Sequence, residues 1–321
     1  MFYIGIDLGG THIAAGVTDS AGRILARDST PTRAERPYQA VIADMAACAL
    51  SALDQSGHSL EEVAALGVGI PGIAQNDRGV VIFCTNLGWE QVPLREELQR
   101  YIDKPVFIDN DATLAGLAES MAGVSRGASS SVFLTLGTGV GGGIIFDGKP
   151  WTGAHGVASE LGHLTLALDG VPCTCGKDGC LERYCSATAL IRLAKEALAE
   201  RPDSQMLRLA GSPEGIDGKL VIDCARAGDP AALAAFERYT RYLALAINTI
   251  VSFIDPQMIV LGGGISQAGA FLLDAVRAKI PQYLMFKTMP FGRVELAVLG
   301  NSAGIIGAAM LGKVLKEGES L

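Results

Sequence analysis

The sequence is poor in charge, in aromatic rings and in histidine. Asp, Glu, Lys and Arg make up 19% of its 321 residues and Phe, Trp and Tyr 6%, with two Trp and four His. It has no basic excess. Lys and Arg total 26 against 34 Asp and Glu, a formal net charge of -8. That balance excludes a nonspecific nucleic-acid binder, which must displace counterions with a cationic footprint. A phosphorylated ligand must then be held locally, by backbone amides and metal. A membrane-length apolar run is lacking too. The longest helical apolar stretch, Tyr242 to Ile254, holds Asn248 and is cut by Asp255-Pro256, so it falls short of the ~20 residues that span a bilayer and reads as a buried core helix. The opening Met1-Phe2-Tyr3-Ile4-Gly5-Ile6-Asp7 enters a strand pattern directly, without the basic segment or cleavable apolar stretch of an export signal. Cysteine numbers seven, an odd count, and Cys173, Cys175 and Cys180 lie within eight residues of each other. Metal binding in a reducing cytoplasm is therefore expected before disulfides.

What is present is a chain able to bury large cores. Hydrophobic residues make up 49%, and single cores stop growing near ~250 to 300 residues, so two domains are expected. Strands are expected at 2 to 7, 12 to 18 and 23 to 28, separated by Gly9-Gly10-Thr11 and by Asp19-Ser20-Ala21-Gly22. A helix follows from Tyr38 to Ser56, a buried strand from Ala65 to Ile70, a helix from Pro93 to Tyr101 and a strand from Val106 to Asp109. The continuing alternation predicts an α/β fold with helices against mixed sheets. An internal repeat organises it: Phe133 to Gly148 has the order of residues 4 to 22, strand, glycine turn, strand, Asp-Gly-type turn. Two similar domains facing one another across a cleft are expected from it, and ligands lie in such clefts.

The glycine turns carry the first chemistry. In Asp7-Leu8-Gly9-Gly10-Thr11 the missing side chains let backbone N–H groups approach a phosphate, Thr11 adds a hydroxyl, and Asp7 is suited to a hydrated Mg²⁺. His12 adjoins this turn. In the second copy, Gly137-Thr138-Gly139-Val140-Gly141-Gly142, the spacing also satisfies the dinucleotide-binding glycine pattern. That reading needs a helix to open at the last glycine, whereas Ile144-Ile145-Phe146 continues as a strand and Asp147-Gly148 turns it. A phosphate-facing hairpin is the better expectation. A third cluster, Gly262-Gly263-Gly264, follows the strand Met258 to Leu261 and precedes a helix from about Ala268, a close backbone approach that suits adenine.

Asp109-Asn110-Asp111 falls where a strand ends and a helix starts, at the sheet edge where α/β proteins bind ligands. One of the three is expected to cap the helix. Three in a row exceed what a cap requires, and a carboxylate that accepts a hydroxyl proton beside an orienting amide suits phosphoryl transfer to an alcohol. His163 with Cys173-x-Cys175-x4-Cys180 makes one imidazole and three thiolates, the closed tetrahedral set of a structural zinc, with Gly176 and Gly179 allowing the tight loop. The second nitrogen of His163 then remains for a sugar hydroxyl, and Glu160 and Glu182 flank the same loop as hydroxyl acceptors. His58 and His155 lack metal spacing, and Cys48, Cys84, Cys185 and Cys224 read as small buried hydrophobes. Asn86 is the ligand candidate in Asn86-Leu87-Gly88-Trp89, where Trp89 suits a sugar face or a core equally.

Together these residues resemble the ROK family (repressors, open reading frames and kinases) of the actin-like ATPase superfamily, over essentially the whole chain. The likeness rests on Asp7-Leu-Gly-Gly-Thr11, Asn110-Asp111, Leu136-Gly-Thr-Gly-Val-Gly-Gly-Gly143, Glu160-Leu-Gly-His163 and Cys173-x-Cys-Gly-x-x-Gly-Cys180-Leu-Glu182, in family order. It implies a two-domain ribonuclease H-like fold with duplicated mixed sheets. The smaller domain is expected at 1-116 plus 305-321 and the larger at 117-304. It implies ATP-dependent phosphorylation of a hexose at the 6-hydroxyl with Asp111 as base. Asn86, Asn110, Asp111, Glu160, His163 and Glu182 are then the expected sugar ligands, and zinc sits on His163, Cys173, Cys175 and Cys180. Asp7, Gly9, Gly10, Thr11, His12, Gly137, Thr138 and Gly139 would serve the ATP phosphates and Mg²⁺, with Gly263 and Gly264 near the adenosine. Asn86-Leu-Gly-Trp89 with Pro93 is similar to glucose-phosphorylating members, whereas Pro150 to Gly156 is similar to allose-phosphorylating ones. N-acetylmannosamine, N-acetylglucosamine, fructose and mannose are alternative substrates. Sugar-responsive repressors share the sugar and zinc motifs but carry a helix-turn-helix first, and only six residues precede Asp7 here. A non-catalytic sugar sensor is the third reading. The resemblance also implies a homodimer or homotetramer.

Overall fold

The structure, a computed structural model, describes residues 1–288 and 290–318. In chain order its regular elements are β1 (Phe2–Leu8), β2 (His12–Thr18), β3 (Ile24–Pro31), α1 (Tyr38–Ser56), β4 (Val63–Ile70), β5 (Ile73–Gln75), β6 (Val80–Cys84), β7 (Trp89–Val92), α2 (Leu94–Gln99), β8 (Val106–Asn110), α3 (Asp111–Ala122), β9 (Ser130–Leu136), β10 (Val140–Phe146) and β11 (Lys149–Pro150). After them come α4 (Glu182–Cys185), α5 (Ala187–Glu200), α6 (Gln205–Ala210), α7 (Gly218–Arg226), α8 (Pro230–Ile254), β12 (Met258–Gly262), α9 (Ala270–Arg277), β13 (Arg293–Leu296) and α10 (Ala303–Gly318). The α/β class with mixed sheets is as expected. Two compact units emerge: Met1–Phe133 with Gly143–Ser159 and the segment from Val298 onward, and Leu134–Gly142 with Glu160–Ala297.

In the first unit the sheet order is β3-β2-β1-β4-β8, with β1–β2 and β2–β3 antiparallel and β1–β4 and β4–β8 parallel. Side-chain alternation along the strands divides the apolar residues between two faces. Ile4, Ile6, Leu8, Leu66, Val68 and Ile70 pack with Val41, Met45 and Ala49 of α1. Tyr3, Ala65 and Phe107 pack with Leu114 and Leu117 of α3 and Ile306 and Met310 of α10. The second face is unusually close. A Cβ added at Gly67 would lie 1.8 Å from Ala308 O, and one at Gly307 would lie 1.9 Å from Leu114 O, so α10 rests on bare sheet backbone at Gly67 and turns its own bare Gly307 to α3.

One buried charge ties this face together. Glu119 of α3 is fully buried, its Oε1 accepts from Val298 N and Leu299 N, and its Oε2 accepts from Val124 N. A carboxylate that satisfies three amides fixes both the turn after α3 and the approach to α10. Neither periodicity nor motif pointed to it. The antiparallel sheet β5-β6-β7 is a second addition to the sequence reading; its strands are short, and Asn76 to Gly79 between β5 and β6 reads only as a turn. Trp89 at its edge is core, 4% exposed and edge-on to Tyr38.

The remaining sheet has the order β11-β10-β9-β12-β13, with β12 and β13 parallel. In the second unit α5, α7, α8 and α9 bury one stripe each, among them Leu190 and Leu193, Val221 and Ile222, Leu243 and Ile247, and Leu272. The apolar stretch from Tyr242 is the second half of α8, which starts at Pro230 because Asp229 accepts from Ala231 N and Ala232 N as its N-cap. Among the described residues no helix is long and apolar enough to cross a membrane.

The close approach of α10 gives a stability prediction. Gly67→Ala must push Ala308 away and is expected to cost about 1 to 3 kcal/mol or more. Gly318→Ala, where an added Cβ meets nothing within 4 Å, is expected to leave the urea midpoint unchanged. Equal midpoints for the two variants would contradict this packing.

Candidate active site

The first glycine turn joins β1 to β2. Gly9 N donates to His12 O, Thr32 N donates to Thr11 O, and the Thr32 hydroxyl donates to Gly9 O at 2.7 Å, which fixes the loop while Gly10 and Thr11 stay at its tip. Thr11 and His12 are exposed, and Thr11 Oγ1 and His12 Nδ1 lie 3.2 Å apart. Asn86 is the neighbour of Gly10, where a Cβ would lie 3.4 Å from Asn86 Cβ. Asp7, the last residue but one of β1, points to the α10 face, where Gly304 leaves room for its carboxylate; a Cβ there would lie 2.1 Å from Asp7 Oδ2. Burial raises the Asp7 carboxyl above its ordinary value of 3.8. Among the described residues no cation contributes to that shift. A buried carboxylate without a cationic side chain fits a hydrated divalent metal.

Asp7, Gly69 and Asp109 sit in register on adjacent strands β1, β4 and β8. A Cβ at Gly69 would lie 3.7 Å from Asp111 Cα and 3.8 Å from Asp7 Oδ1, so the first unit gathers the Asp7 carboxylate and the start of α3 around one bare strand position. Burial pushes Asp109 up to about 6, although Asn110 N donates to it. Asn110 is the cap of α3: its Oδ1 accepts from Ala112 N and Thr113 N, and its Nδ2 donates to Gly72 O at 3.1 Å. Asp111 follows as the first helical residue, with Oδ1 accepting from Ala112 N at 2.8 Å.

In the second unit the turn Gly137-Thr138-Gly139 joins β9 to β10, and β10 runs on through Phe146, where Asp147 and Gly148 both adopt positive φ. The dinucleotide reading is excluded by this geometry, as expected. Gly137 N donates to Gly139 O, closing a turn one residue shorter than the one Gly9 N closes with His12 O. The third glycine cluster differs from expectation, because a 3-10 turn over Gly264–Ala268 comes before α9 starts at Ala270. Gly263 has φ 82 and presses on β9, where a Cβ would meet Leu136 N at 2.6 Å. Gly264 is exposed, and a Cβ added there would meet nothing within 4 Å.

His163, Cys173, Cys175 and Cys180 converge, their ligand atoms all within 4.8 Å of one another. His163 Nδ1 faces Cys173 Sγ at 3.8 Å, Cys175 Sγ and Cys180 Sγ are 3.6 Å apart, and Gly176 and Gly179 take positive φ. Spacings of that size suit one metal held at ~2.0 to 2.3 Å from each ligand. The other ring nitrogen of His163, Nε2, turns to Glu160 at 3.9 Å. Glu160 is exposed, and Glu182, two residues beyond Cys180, opens α4 with its carboxylate toward β10.

Residues 3–314 match the ROK family. The chain belongs to the ROK family. The glucokinase of Streptomyces coelicolor is 38% identical to this ROK chain over 314 residues, 97% of each. Among solved structures, a ROK family glucokinase from Streptomyces griseus in complex with glucose and AMPPNP is 35% identical with TM-score 0.81, covering 98% of this chain and all of that one. The ROK hexokinase from Thermus thermophilus is 34% identical with TM-score 0.86, covering 99% and 100%. The two-domain actin-like ATPase fold of the ROK family is therefore the fold of this chain.

The burial of Asp109 yields a pH prediction. A carboxyl whose folded value is raised from 3.8 to about 6 is protonated in both states below pH ~3.8, and its ionisation weakens folding progressively up to about 6. Asp109→Asn removes that cost. The variant is expected to gain stability over the parent as pH rises from about 4 to 6, with a constant gain above; urea midpoints measured from pH 4 to 8 check it, and a gain independent of pH would contradict it.

Proposed function

We propose that this ROK chain is an ATP-dependent hexokinase that phosphorylates glucose on its 6-hydroxyl. The observation that carries the reading is Asp111 at the first position of α3, beside the cap Asn110, in a chain that aligns with a glucokinase over 97% of its length. Asp111 serves as the base that takes the 6-hydroxyl proton while that oxygen attacks the γ-phosphorus of ATP in line. Asn86, Asn110, Glu160, His163 and Glu182 bind the remaining hydroxyls, and a site built on such acceptors rejects analogues that lack them. The turns at Gly9, Gly10, Thr11 and His12 and at Gly137, Thr138 and Gly139 face the phosphates, and Gly263 and Gly264 face the adenosine. Mg²⁺, when bound with ATP, neutralises the developing phosphate charge, and Asp7 would hold it through its water shell.

The metal of the Cys and His set is zinc in this reading, because three thiolates and an imidazole form a closed tetrahedral shell with no open position. It acts as scaffold: it fixes the loop that carries Glu160 and Glu182 and leaves Nε2 of His163 for the sugar. The protein works as a homodimer or homotetramer in the cytoplasm, where these thiols stay reduced.

Purified protein is expected to carry about one zinc per chain, and Cys180→Ser, at a fully buried ligand, is expected to lose it together with several degrees of thermal stability. Metal analysis with thermal melts checks this; an unchanged melt in the metal-free variant would contradict it. A coupled ADP-release assay with glucose, allose, mannose, fructose and the N-acetylated amino sugars tests the substrate, with glucose expected to give the highest kcat/KM. Asp111→Asn is expected to lower kcat at least ~10²-fold while glucose affinity largely survives. A sugar-binding protein without ADP release in any hexose would favour the sensor or repressor reading instead.

A further inference from the structure

Beyond its expected role toward the hexose, Glu182 makes a bond that its sugar-ligand role does not require. Its Oε2 accepts from Val140 N, 42 residues away, at 3.0 Å. Gly139 is what makes room for this contact, since a Cβ there would lie 2.3 Å from the same oxygen. The same short segment holds the glycine turn twice more: Ala187 N donates to Gly137 O at 2.7 Å and the Thr188 hydroxyl donates to Thr138 O at 2.8 Å. Its other end is fixed by the metal loop, because Leu181 N donates to Leu164 O at 2.7 Å and Thr165 bridges to Cys180. One carboxylate thus stands between the sugar-ligand loop and the turn assigned to the phosphates.

We propose that Glu182 is a positioning residue for the nucleotide as well as a hexose ligand, and that through it glucose and ATP bind with positive coupling. The inference rests on the hexokinase reading. A carboxylate has two oxygens, so it can hold Val140 N with one and meet a sugar hydroxyl with the other. Glycines in the turn have wide backbone freedom, and the bond to Glu182 removes part of it before any phosphate arrives. When a sugar fixes the carboxylate, the turn is ordered further, and the nucleotide then meets a smaller ordering cost. Coupling of this kind is reciprocal by linkage.

Calorimetric titrations of the full chain with glucose alone, with MgAMPPNP alone and with MgAMPPNP at saturating glucose test it, the parent being expected to bind AMPPNP more tightly with glucose present and Glu182→Ala equally with and without it. Glu182→Ala is expected to weaken AMPPNP binding roughly tenfold in the absence of sugar, the size of a lost hydrogen bond to a charged group. Glu160→Ala is expected to weaken glucose only. Gly139→Ala, which drives the carboxylate from Val140 N, is expected to weaken glucose binding although residue 139 is no sugar ligand. Glu182→Gln, whose amide oxygen still accepts from Val140 N, is expected to restore AMPPNP affinity to within about twofold of the parent. Unchanged AMPPNP affinity in Glu182→Ala, or unchanged glucose affinity in Gly139→Ala, overturns the inference while the hexokinase reading stands. A parent protein that binds neither glucose nor AMPPNP overturns both.

Discussion

Backbone exposed at glycine turns has to be held in shape by something other than its own side chains, and the organisation of this protein follows from that need. A turn able to admit phosphate must lack Cβ atoms, which leaves it conformationally loose. Here each turn is fixed from outside. Thr32 fixes the first, its hydroxyl donating to Gly9 O and its amide to Thr11 O. Glu182, Ala187 and Thr188 fix the second. The third glycine cluster is held by contact, with Gly263 pressed on Leu136.

The same economy shapes the frame behind the first turn. Bare positions at Gly67 and Gly307 bring α10 against the sheet and α3, and Glu119 satisfies the amides of the segment that leads into α10. Gly304 then gives the Asp7 carboxylate its space. Packing, a buried charge and an acidic residue suited to metal are thus successive links in one chain of contacts within the first unit.

How much of this was legible in sequence depended on range. The β1–β2 hairpin, α1 and β8 fell within a residue or two of their expected bounds, because alternation, helical periodicity and Asp-Gly or Gly-Gly turns are local signals. The Cys and His set was legible because its spacing is itself the chemistry, and the four ligands do converge. The cap of α3 was anticipated as one of three residues and is Asn110. What stayed hidden depends on partners far along the chain. Glu119 meets residues 298 and 299 as well as nearby Val124, and Glu182 meets residue 140, so nothing near either glutamate in sequence marks these long-range bonds. The sheet β5-β6-β7 was missed for another reason: strands this short carry too few alternations to stand out from turns.

The central claim is that this ROK chain moves the γ-phosphoryl group of ATP to a single hydroxyl of glucose. Phosphorus NMR of a reaction containing the chain, glucose and MgATP reads it directly. One phosphomonoester, on C6, formed in equal amount with ADP is the expected result. ADP formed with inorganic phosphate and no sugar phosphate, or a phosphate carried on another carbon, would contradict the account.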